Sequence, residues 1–122
     1  MLISAFVFGG KAGQLLQELF ESEHYIYVSE YVDKEFKDKL EMKWSAKAEK
    51  VYSLYRTLDF VFCRSTEEEL GIVRDKKDIP VLSDALYNDV DVLVTGDKDF
   101  LESDIKKPVI LSPTLLYEFL NK

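Results

Sequence analysis

The chain has 122 residues, 47% hydrophobic and 13% aromatic, enough apolar side chain to fill one core, and a net charge of −7 at neutral pH. A single cysteine, Cys63, excludes an internal disulfide and a thiolate zinc cluster; a single histidine, His24, excludes histidine-rich metal sites and argues against a serine or cysteine triad. No apolar run reaches the roughly 18 residues of a membrane span, and the first residues lack the basic lead and long apolar core of a signal peptide, so a cytoplasmic protein is expected. The acidic sum offers no footprint for indiscriminate nucleic-acid binding. The charge is nevertheless polarised, since residues 34–64 hold eight bases against five acids.

Residues 1–8 are apolar almost throughout and end at Gly9-Gly10, so periodicity leaves strand and helix equally open. Leu15, Leu16, Leu19 and Phe20 predict a short amphipathic helix over 11–22, and Tyr25 to Val28 predict a strand over 24–28. Ser29 is placed to cap a helix whose buried stripe is Val32, Phe36 and Leu40, with Glu35 one position from that stripe. A further helix is predicted from Ser45 to about Phe62, with Lys43, Lys47 and Lys50 as a ridge on its outer face. Such a ridge is most often a solvated surface. Residues 65–69 form a polar connector, and residues 108–111 and 113–120 predict a last strand and a closing helix with proline in its first turn.

Between these lies the stretch that carries chemistry. Residues 69–74 and 91–95 read as strands with a helix between them, starting near Pro80, and this βαβ pattern implies a parallel pair. The whole pattern predicts a three-layer α/β/α domain with a largely parallel sheet. Residues 75–104 hold nine acids against three bases, a net −6 of the chain's −7. Asp75 and Asp78 follow the first strand and Asp97 and Asp99 follow the second, which gathers them beyond the carboxyl ends of parallel strands, where ligands sit. Clustered carboxylates repel unless a cation joins them. Asp78 and Asp97 also stand where helix caps belong, and capping is the alternative reading of each. Carboxylates from several elements, without histidine or cysteine, suit Mg²⁺ or Mn²⁺ and hence phosphodiester hydrolysis by activated water, with no protein nucleophile required.

The run Thr95-Gly96-Asp97-Lys98-Asp99-Phe100-Leu101, preceded by Asp78-Ile79-Pro80-Val81-Leu82 and an alanine-containing helix, resembles the C-terminal half of a PIN domain. That family consists of metal-dependent ribonucleases and includes the toxins of VapBC-type toxin–antitoxin pairs. Leu2-Ile3-Ser4-Ala5-Phe6 and the Gly-Gly that follows are similar to its N-terminal region, so the resemblance spans nearly all of residues 1–122 as one domain. It implies Asp78, Asp97 and Asp99 as metal-holding and catalytic acids, Glu35 as the helix-borne acid with Glu30 competing for that role, and Lys43, Lys47 and Lys50 as RNA contacts. It implies RNA as substrate, Mg²⁺ or Mn²⁺ as cofactor and an antitoxin protein as partner.

The family's first strand ends in Asp-Thr-Asn, and this chain matches from the residues after that motif. The expectation is therefore a domain truncated at its N-terminus relative to the family and weak in activity as it stands. Residues 1–8 would then be drawn into the sheet as a substitute strand, or a second copy would cover the gap in a homodimer. The competing expectation is a catalytically inactive PIN-like module that binds RNA or protein. A receiver-type phosphate-accepting domain ranks below both, because it needs acids on a first strand.

Overall fold

A computed structural model describes residues 1–70 and 76–121. The chain is a mixed α/β protein with short parallel strand pairs, and it divides into two compact units, Leu2–Cys63 and Arg64–Lys122, the latter including Met1. No helix among the described residues is long and apolar enough to cross a membrane.

The N-terminal unit begins with a helical segment that includes a π-helical turn, Ser4–Phe8. Helix α1 (Gly10–Glu21) follows, then β1 (Tyr27–Ser29), α2 (Glu30–Lys43), α3 (Ser45–Arg56) and β2 (Val61–Cys63). Strands β1 and β2 pair in parallel, Tyr27 opposite Val61 and Ser29 opposite Cys63. The substitute strand expected at residues 1–8 is thus replaced by helix. Phe6 explains the choice, because its ring packs on Phe36, Tyr55 and Phe60 with centroids 5.6–6.3 Å apart. Gly9 and Gly10 make the reversal into α1 at φ 74° and 56°, values that side chains bearing a Cβ seldom adopt.

Three predicted features reappear with small shifts. Leu15, Leu16 and Leu19 form the buried face of α1. The strand predicted over 24–28 starts later, at Tyr27. Ser29 caps α2 by accepting from the Val32 N–H at 3.2 Å, and the buried residues of that helix are Phe36 and Leu40. The helix predicted from Ser45 to Phe62 is shorter. It stops at Arg56, where the Thr57 hydroxyl donates to the Leu54 carbonyl at 2.6 Å and offers the chain a turn instead of another helical residue. Phe62 therefore lies in β2; its fourfold spacing from Leu58 was a coincidence of pattern. The lysine ridge is corrected as well. Trp44, at φ −134° and ψ 45°, separates the two helices, so Lys43 ends α2 while Lys47 and Lys50 lie on α3, all three exposed.

The α2–α3 pair is pinned by a polar contact that the apolar stripe did not announce. Asp33 accepts from the Tyr55 hydroxyl at 2.9 Å and from the Tyr52 hydroxyl at 3.0 and 3.1 Å, with Arg56 3.8 Å away. Tyr55 is 0% exposed. Burial first, and then the bond to Asp33, raises the Tyr55 phenol above the ordinary tyrosine range, and the same causes raise Tyr52. A raised acid pKa means that the fold holds a proton the unfolded chain gives up. This stabilisation is complete below the ordinary tyrosine value of about 10 and declines as pH climbs toward the folded value. Urea unfolding followed between about pH 9 and about pH 11 is expected to show stability falling by up to about 1.4 kcal/mol per pH unit from Tyr55. Tyr55→Phe should flatten that slope, and an unchanged slope would contradict the assignment.

In the C-terminal unit the connector leads to residues 71–75, so most of the strand predicted over 69–74, and Asp75 with it, lies outside the described residues. A 3₁₀ turn, Lys76–Asp78, runs into α4 (Ile79–Tyr87), followed by β3 (Val92–Val94), α5 (Lys98–Leu101), β4 (Val109–Leu111) and α6 (Pro113–Leu120). Strand β3 pairs in parallel with β4, Val92 opposite Val109. Helix α4 closes with Asp89 in the left-handed region (φ 49°), Asp89 N–H bonding the Leu86 carbonyl and Val90 N–H the Ala85 carbonyl. Ser112 caps α6 by accepting from the Leu115 N–H.

Candidate metal centre

Two apolar residues set the frame. Leu82 on α4 and Phe100 on α5 are 1% and 2% exposed and form one core, with Ile79, Val81, Leu86, Leu93, Ile105 and Ile110 packed against it. Because Phe100 follows Asp99 directly and Leu82 lies one helical turn after Asp78, this core clamps together the starts of two helices that carry acids.

Beyond β3 the chain folds into a tight hook. The Thr95 N–H bonds the Leu111 carbonyl at 3.0 Å and continues the ladder to β4, and the Thr95 hydroxyl accepts from the Asp97 N–H at 3.1 Å. Asp97 Oδ1 then accepts from the Asp99 N–H at 2.8 Å, capping α5. Asp97 thus fulfils the capping alternative with one oxygen while its charge remains beside Asp99. Asp78 precedes α4 differently. Its backbone is helical, φ −88° and ψ −12°, and its side chain accepts no capping hydrogen bond; one carboxylate oxygen, Oδ2, is enclosed.

Asp78, Asp97 and Asp99 each offer an oxygen, and the three oxygens lie within 4.8 Å of one another. Asp78 and Asp99 are half-buried. Two oxygens on one Mg²⁺ at about 2.1 Å stand about 3 Å apart when adjacent and about 4.2 Å when opposite. Small side-chain rotations would therefore bring all three onto one ion, and an all-carboxylate set suits a hard cation. The cluster can hold a metal ion.

Other candidates lie elsewhere. Glu35, on α2 in the N-terminal unit, is half-exposed and pairs with Lys39 at 3.8 Å, and Glu30 opens the same helix at the surface. Of the remaining acids in residues 75–104, Asp89 pairs with Lys107 at 3.3 Å, while Asp91, Glu102 and Asp104 are exposed. Asp84 is buried in hydrogen bonds to the connector. The acidic excess therefore resolves into one convergent triad and several acids with structural or surface positions. Sequence reading missed Asp33 and Asp84. Asp33 had a local signal, because it precedes Phe36 by three and Leu40 by seven and so shares the buried stripe. Asp84 had none, its partners being 18 and 19 positions away.

No family model, curated protein or solved structure matches the chain.

Proposed function

We propose that the chain is a Mg²⁺- or Mn²⁺-dependent endoribonuclease of PIN type, a three-layer α/β/α protein acting as the toxin of a VapBC-type pair in the cytoplasm, as a homodimer restrained by an antitoxin. The observation that carries this reading is the convergence of Asp78, Asp97 and Asp99 within 4.8 Å beyond the carboxyl end of β3. Supporting it is the resemblance of Thr95-Gly96-Asp97-Lys98-Asp99-Phe100 to the family's central motif. A bound divalent ion supplies an activated water and charge stabilisation for in-line attack at phosphorus.

The chain's own residues do the rest. Asp97 is held twice, through its N–H by Thr95 and through its carboxylate by Asp99 N–H, and so offers its second oxygen in a fixed direction. Asp78 presents a carboxylate from α4, and Asp99 completes the set. Phosphodiester hydrolysis forms one bond from water oxygen to phosphorus and breaks the bond to the leaving ribose oxygen, which takes a proton. Exposed Lys43, Lys47 and Lys50 suit contacts with RNA phosphates. Glu35 enters the reading through the resemblance, and Glu35→Gln tests its membership.

Incubation with structured and unstructured RNA in Mn²⁺, followed by EDTA, tests the reading. Cleavage that appears with Mn²⁺ and stops on chelation is expected. RNA retention without cleavage, unchanged by metal, would instead establish the inactive binding module.

A further inference from the structure

Asp84 poses a question that the triad does not answer. It is 3% exposed, on a helix whose other deeply buried residues are apolar or small. Burial of a carboxylate is costly unless its oxygens are satisfied. Here Oδ2 accepts from the Ser65 hydroxyl and Oδ1 from the Thr66 N–H, both at 2.7 Å, and next to it Ser83 Oγ accepts from the Leu70 N–H at 3.0 Å. Two donors approach two different oxygens. An asparagine has one acceptor oxygen, so the carboxylate is the side chain this contact requires.

The segment held in this way lies ahead of Asp78 in the chain. Leu70 is tied to α4 at Ser83, and the described chain returns six positions later at Lys76, in the turn that runs into the same helix. Fixing residues 65–70 on α4 therefore restricts the direction from which Lys76–Asp78 approaches it. That direction decides the backbone of Asp78. The residues of this chain whose side chains cap helices, Ser29, Asp97 and Ser112, have extended backbones with ψ of 158°, 124° and 160°. Asp78 has ψ −12°, and its carboxylate joins Asp97 and Asp99. Rotation to an extended ψ would suit capping α4 and draw the carboxylate from the cluster.

We propose that Asp84, with Ser65, is a positioning residue for the cation site: its clasp on residues 65–70 keeps Asp78 in the helical conformation that turns its carboxylate toward Asp97 and Asp99. The proposal rests on the metal-site reading above and extends it to a buried pair that touches neither ion nor substrate.

The test is Mn²⁺ binding to the purified full chain, by electron paramagnetic resonance of the free ion, without RNA. Wild type, Asp97→Asn, Asp84→Asn and Ser65→Ala are compared well below their melting transitions. Asp84→Asn is expected to weaken Mn²⁺ binding by about tenfold and Ser65→Ala by about threefold, within the range seen for groups that orient metal ligands from behind. A clasp that serves stability alone would lower the melting temperature and leave the dissociation constant untouched. Wild-type affinity in both variants, with Asp97→Asn defective, would overturn the positioning role while leaving the site intact. Failure of the wild type itself to bind Mn²⁺ would overturn site and proposal together. If Asp84→Asn does not fold, Ser65→Ala decides, since it removes one hydroxyl and retains the carboxylate.

Discussion

Asp97→Asn is expected to abolish metal-dependent RNA cleavage and Mn²⁺ binding while leaving the metal-free fold as stable as before or more so. The two effects separate because Asp97 has two jobs. Its Oδ1 caps α5 by accepting from the Asp99 N–H, and asparagine caps about as well as aspartate. Its charge is what the cation needs. Groups one step removed from a metal typically cost about 10- to 100-fold when altered, so loss of a ligand's charge is expected at about hundredfold or beyond. In the absence of metal the sign reverses. Unit charges as close as 4.8 Å repel by about 1 kcal/mol even in a water-like dielectric, and the substitution removes two such pairs.

Thermal melts with and without Mn²⁺ read both halves. A ligand at 100 times its dissociation constant stabilises by about 2.7 kcal/mol, which wild type should show and the variant should lack. Full Mn²⁺ stabilisation of Asp97→Asn would remove Asp97 from the site. Asp97→Ala is the less informative change, because it removes cap and charge together.

How much of this was legible in the sequence depended on the range of the interaction that decided each element. Ser29 and Ser112 announced the starts of α2 and α6 because a cap is settled within three residues. The parallel character of the strands followed from the alternation of helices and short apolar runs, and both described strand pairs are parallel. Residues 1–8 were beyond the reach of pattern. They are apolar on every side, and what decides them is the fit of Phe6 among Phe36, Tyr55 and Phe60, rings that arrive from positions 30 to 54 residues away. Phe62 was misread for the opposite reason, since a local spacing imitated a helix that Thr57 had already ended. At the site, Asp78, Asp97 and Asp99 could be selected from sequence because strand and helix boundaries place them. The separation of Asp84 from that group required seeing Ser65 and Thr66 folded onto α4. Net charge alone counted all four as equivalent.

Phe100→Ala is expected to cost about 3–5 kcal/mol of stability, a large share of the 5–15 kcal/mol typical of a whole fold. Phe100 is 2% exposed and shares its core with Leu82, and these two side chains join α5 to α4. Truncation removes the transfer free energy of the ring and leaves a cavity that Ile79, Val81 and Leu93 cannot fill without moving. The same loss reaches the acids. Asp97 and Asp99 lie within three residues of Phe100, and the Phe100 N–H bonds the Asp97 carbonyl at 3.2 Å, so a shift of α5 carries both carboxylates away from Asp78. Chemical denaturation and Mn²⁺ titration of the fraction still folded at low temperature should therefore fall together. Leu101→Ala supplies the contrast, because Leu101 is exposed on the same short helix and should change stability by no more than about 0.5 kcal/mol, with Mn²⁺ affinity unaltered. If Phe100→Ala binds Mn²⁺ as tightly as wild type despite its lower stability, the hook from Thr95 to Asp99 holds its acids without the core, and the clamp between α4 and α5 is not what brings the three carboxylates together.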